Sequence, residues 1–128
     1  MPQSRKEESH NNLCEDLLKE RAAVLSRAGY AVEDALDELA KIDRIIRKKN
    51  NELKLLLRHR QTAKLQGRRQ AAIEEINLII EQFNCVCDSA QLKYYYLIVT
   101  REALGLRRHD MIKEIYRIPA KKKKIQVY

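Results

Sequence analysis

Leu18, Leu25, Val32, Leu39, Ile46 and Leu53 stand seven residues apart without a gap. A residue that recurs every seven positions returns to nearly the same side of an α-helix, so this row is one continuous apolar edge. A companion row runs through Cys14, Ala28, Ala35, Ile42 and Leu56, with Arg21 and Lys49 as polar interruptions. Together the two rows form the seam along which helices supercoil. A second seam follows: Ile73, Ile76, Ile80, Phe83, Cys87, Ala90, Tyr94, Leu97 and Leu104, interrupted at Arg101. With only three glycines, two prolines and 5% aromatic residues, the chain has little from which to build sheets and turns,.

Between the seams lies RHRQTAKLQGRRQ, residues 58–70, polar and containing Gly67. Two heptad segments around a short polar stretch predict an all-α fold, a long antiparallel helical hairpin of coiled-coil type. Facing residues in such a pair share a constant index sum. Matching Leu56 with Ile76 gives 132 and Leu53 with Ile80 gives 133. The same alternation then carries through Ile46 with Cys87, Ile42 with Ala90, Ala35 with Leu97 and Ala28 with Leu104. Only Arg60 with Ile73, Lys49 with Phe83 and Val32 with Arg101 place a charge in a layer. Long basic side chains fit there by laying their stems along the seam and keeping their heads in water.

This register predicts one domain over 11–118, with a first helix over about 11–64, a turn at 65–69 and a second helix over about 70–105. A short helix over about 110–117 follows, with Asp110 as N-cap and Pro119 as stop. Its face of Met111, Ile112, Ile115 and Ile118 is expected to cover Leu18 and Leu25 of the first helix. Residues 1–10 and the basic tail 119–128 are read as flexible ends. Gly29 falls inside the first helix. The seam runs through it, which favours one long helix; a break there would instead give a three-helix bundle.

Leu78, Cys85, Leu92 and Val99 also recur every seven residues, on the side of the second helix away from the seam, with Tyr96 beside them. A contiguous exposed apolar surface marks an interface. The stripe therefore calls for residues 11–28 folded back, a second copy making a dimeric four-helix bundle, or another protein. It points to a non-enzymatic interaction protein: an adaptor, assembly factor or chaperone-like subunit. In outline this resembles the helical-hairpin stalk and chaperone proteins of secretion and flagellar export systems, a likeness of shape from which no residue is carried over.

The net charge of +8 is unevenly spread. Counted along the chain, residues 1–40 carry −4, residues 41–70 carry +9, residues 71–100 carry −3 and residues 101–128 carry +6. Arg44, Arg47, Lys48, Arg58, Lys64, Arg68, Arg69 and Lys121, Lys122, Lys123 and Lys124 form a candidate basic contact site. Nucleic acid is accordingly the secondary partner, bound through phosphates with little sequence preference.

No motif for catalysis or phosphate cradling is present, and the chain is read as no enzyme. Cys85 and Cys87 point about 200° apart on a helix and cannot grip one ion together. His10 and Cys14 are spaced for one helix face, but no further ligand pair is near in sequence. Neither a metal nor a cofactor is expected. Three cysteines and the polar start MPQSRKEESHNN predict free thiols in the cytoplasm,. No apolar run approaches the roughly 18 residues of a membrane span.

Overall fold

A computed structural model describes residues 3–58 and 63–126 of the chain. It contains three helices, α1 (Gln3–Arg58), α2 (Ala63–Ala103) and α3 (Asp110–Ile115), followed by an irregular segment. α1 and α2 pack against each other as a hairpin, as the seams predict. Among the described residues, the twelve buried apolar side chains all belong to the two predicted rows: Val32, Ala35, Leu39, Ile42, Ile46 and Leu53 from α1, and Ile76, Ile80, Phe83, Cys87, Ala90 and Leu97 from α2. α1 is unbroken at Gly29, so residues 11–28 do not fold back and no three-helix bundle forms. α1 also begins earlier than the pattern suggests, because residues 3–10 continue the same helix.

The register differs from the sequence expectation by one heptad. Arg69 reaches the carbonyl of Leu56, and Lys49 pairs with Glu75 at 2.6 Å. These contacts correspond to index sums of 125 and 124 rather than 132 and 133. A seam that repeats every seven residues looks the same after α2 slides by seven, so the rows alone cannot choose between the two. The position of the turn chooses. Residues 65–69, expected to turn, lie inside α2, and α1 ends at Arg58 rather than near residue 64. The layer containing Arg60 lies outside the described residues. Lys49 behaves as expected of a charge on the seam, with its stem half-buried and its ammonium on Glu75.

The shift leaves α1 longer than its partner. At a sum near 125, the end of α2 at Ala103 lies opposite residue 22. Every residue from Ser4 to Val24 is exposed.

α2 closes on a glycine. Gly105 has φ 87°, Leu106 N–H donates to the Arg101 carbonyl at 2.9 Å, and Gly105 N–H donates to Glu102 at 3.0 Å. This is the paired bonding of a left-handed C-terminal cap, for which glycine carries no Cβ penalty. The following loop is pinned by side chains of the last turn. Arg101 donates to His109 Nδ1 at 3.2 Å and to the Arg108 carbonyl at 2.9 Å. His109 Nε2 is thereby left to donate to Glu102, 3.3 Å away. With its ring held in this way, His109 rather than Asp110 takes the N-cap position of α3, and no side chain caps the helix.

α3 is shorter than predicted, ending at Ile115. Its apolar residues do not act as one face. Ile112 lies in a cavity wall with Leu25 and Gly29, whereas Met111, Ile115 and Leu18 stay exposed. Tyr116 anchors the end of α3 to α1 through a 2.7 Å hydrogen bond to Glu33. Burial and the neighbouring carboxylate, above all the hydrogen bond to Glu33, push the Tyr116 phenol above its ordinary value.

Gly67 offers a direct test of the register. It lies in the interior of α2, and a Cβ added there meets nothing within 4 Å. Gly67→Ala is expected to raise stability in urea denaturation by up to about 1 kcal/mol, the helix-propensity difference. A glycine serving a left-handed turn would show a loss instead.

Candidate functional site

Sequence reasoning leaves the tail as a mobile end, but residues 117–126 run as a strap along the hairpin. Asn84 and Asn77 hold it by their side-chain amides. Asn84 Nδ2 donates to the Lys122 carbonyl at 2.9 Å, and Asn84 Oδ1 accepts from Lys122 N–H at 2.8 Å. Asn77 does the same with Ile125, at 2.9 and 2.7 Å. Each amide thus satisfies both polar groups of one strap residue, as a neighbouring β-strand would. The spacing is a matter of geometry: seven residues of α-helix rise about 10.5 Å. Three residues of extended chain cover about 10 Å. The strap is therefore extended between Lys122 and Ile125 and runs antiparallel to α2. Four such bonds, at a net of roughly 1 kcal/mol each, are a substantial hold for so short a segment.

Side chains of the strap add to this grip. Ile118 and Ile125 pack against the hairpin core, and the Cys87 thiol lies 3.6 Å from the Pro119 carbonyl. Lys122 pairs with Asp43 of α1 at 2.8 Å and sits over the Phe83 ring, 4.9 Å from its centre. Lys121 pairs with Asp88 at 2.7 Å and Lys124 with Glu81 at 3.8 Å. The hydrogen bond from Lys122, helped by Arg47, holds the Asp43 carboxyl below its ordinary value of 3.8. In the same way Asp88 raises the Lys121 ammonium. Burial pushes the Cys87 thiol up, keeping it in the unreactive protonated form at neutral pH,.

None of these groove residues stands out by a familiar motif. A signal was nevertheless present: Gln70, Asn77, Asn84 and Gln91 place an amide at every seventh position of α2.

The candidate basic site separates into unlike parts. Arg69 is only 8% exposed and donates from Nε and Nη2 to the Leu56 carbonyl, at 3.3 and 3.0 Å. The accepting carbonyl lies in the last described turn of α1, where a cation is favourable,. Arg47 pairs with Asp43 at 3.0 Å. Lys121, Lys122 and Lys124 are engaged by the strap contacts, while Lys123 is exposed. Arg44, Lys48, Arg58, Lys64 and Arg68 are exposed on the helices. Tip and tail cations meet only through an acidic group, Arg47 and Lys122 sharing the Asp43 carboxylate among the described pairs.

The outer stripe of α2 is solvent-facing along its length. Leu78, Leu92, Tyr96 and Val99 are 67%, 52%, 56% and 41% exposed, and Cys85 is exposed as well. Tyr95 and Tyr96 meet at a 53° tilt, so the tyrosine run forms no flat stacking platform. Cys14 Sγ lies 3.7 Å from His10 Nε2, yet no group of three potential metal ligands gathers among the described residues. Among those residues no helix is long and apolar enough to cross a membrane. In comparisons with known proteins, the chain matches no family model, no curated protein and no solved structure.

Two outcomes follow from this geometry. Arg69→Ala is expected to cost about 1–3 kcal/mol in chemical denaturation by removing both guanidinium donors from the part-buried Leu56 carbonyl,. Arg68→Ala, on the exposed side, should change stability by less than about 0.5 kcal/mol. Acid should loosen the strap. Because folding lowers the Asp43 pKa, its contribution is full above the ordinary carboxylate value of 3.8 and is lost as pH falls through the lower folded value,. The NMR shift of the Lys122 amide should move in that acid window, and Asp43→Asn should move it at neutral pH.

Proposed function

We propose that this chain is a non-enzymatic helix–helix interaction protein, an adaptor or assembly subunit whose working surface is the outer stripe of α2. One observation carries the reading. Leu78, Cys85, Leu92, Tyr96 and Val99 form a row that no described part of the chain covers, and α1, being unbroken, does not fold back across it. Large apolar side chains aligned along some 21 residues of one helix are suited to receive another helix rather than a small molecule.

The long arm of α1 supports the same reading. Leu13, Leu17, Leu18 and Val24 are exposed there, and a helix in a protein draws most of its stability from packing its apolar face on a surface. Another protein or a second copy of the chain would supply that surface. Phosphate binding by the basic groups is the weaker alternative, because Arg69 and three of the four tail lysines are spent within the molecule.

Leu92→Glu tests the proposal. The substitution is expected to leave helicity in circular dichroism unchanged while altering the mass seen by light scattering or the partners retained in affinity capture. A variant with the parent's mass and the parent's partners would refute it.

A further inference from the structure

We propose that the groove between α1 and α2 is a receptor for an extended, lysine-bearing peptide segment of another protein, with the chain's own strap, residues 117–126, as built-in competitor. The inference does not rest on the outer stripe, although Glu81 and Asp88 stand three residues from Leu78 and Cys85 and so border it,.

The groove reads chemistry that a partner segment can share. Asn77 and Asn84 recognise main chain, two bonds to each residue they meet, and so accept any sequence that presents extended backbone at a three-residue spacing,. Selectivity comes from the walls. Asp43, Glu81 and Asp88 each face a lysine, and the Phe83 ring lies beneath the lysine that Asp43 holds. An acidic, aromatic-floored channel of this kind favours a cationic segment over a neutral or acidic one.

The resident strap fits this site incompletely. A depression of about 450 Å³, open to solvent, lies beside it, with Leu36, Ala40 and Asp43 of α1 on one side and Ala120 of the strap on the other. Ala120 is too small to fill that space. A segment with a larger apolar side chain at the equivalent position would bury more surface than the strap itself does. The tether compensates for the poor fit, because a segment joined to its own site has a high effective concentration there. Exchange is thus balanced between a tethered ligand of imperfect shape and a free one of better shape.

Fluorescence anisotropy with a labelled peptide of residues 117–126, RIPAKKKKIQ, tests this on the full chain. Lys122→Pro with Ile125→Pro removes the two N–H groups that bind Asn84 and Asn77, and so opens the groove. The peptide is expected to bind this variant at least tenfold more tightly than the parent. Leucine in place of alanine in the peptide, at the position of Ala120, should tighten it further. Adding Asn77→Leu and Asn84→Leu to the chain should abolish the gain. Equal affinity for parent and strap variant, or binding indifferent to the two asparagines, would overturn the proposal in favour of nonspecific charge attraction. A parent that is dimeric by light scattering, with a monomeric strap variant, would overturn it in favour of exchange between copies. Should the double-proline variant lose helicity, hydrogen exchange on the parent decides. Excess peptide should speed exchange at the Lys122 and Ile125 amides, and unchanged rates would end the idea.

Discussion

A single seam of apolar side chains holds the hairpin together, with Leu39, Ile42 and Ile46 of α1 packed with Ile80, Phe83 and Cys87 of α2 in one cluster. Its repeat of seven decides which faces meet but is indifferent to sliding by whole heptads. Register must therefore come from contacts that do not repeat. Arg69 on the Leu56 carbonyl and Lys49 on Glu75 are such contacts, and both lie toward the turn. The arm of α1 and the depth at which the strap begins all follow from that choice.

Much of the fold was legible in the sequence because burial leaves a periodic trace. Every buried apolar residue among those described belongs to a row visible by spacing, and the continuity of the seam through Gly29 correctly indicates an unbroken helix. The turn was harder. Gly67 and its basic neighbours have the composition of a loop, yet a glycine inside a helix costs only about 1 kcal/mol, less than the packing of a further turn can return. The polar composition marks that stretch as a turn, and the apolar rows, which look the same after a slide of seven, do not place the turn elsewhere.

The candidate sites were legible to different degrees for a related reason. Leu78, Leu92 and Val99 repeat, so their common face is visible without a structure. The strap does not repeat. It is a short run of lysines with a proline before it, and what fixes it is a set of amides and carboxylates 30 to 80 residues away in sequence. Charge counting also treats Lys121 and Lys124 as surplus, although their counterions are Asp88 and Glu81 of the intervening acidic segment. A block of like charge is thus a statement about sequence order; only the fold says how much of it reaches solvent.

Because the strap runs toward the turn, parallel to α1, Ile125 lies beside Asn77, level with residue 48 of α1 at a sum of 125 and roughly 70 Å along the rod from Gln3 at 1.5 Å per helical residue,. Span is therefore written into the number of heptads. Removing seven residues from each helix at matching positions would shorten the molecule by about 10.5 Å while leaving its apolar rows in phase. A chain built this way can be lengthened or shortened in equal steps by insertion and deletion, with its core chemistry untouched.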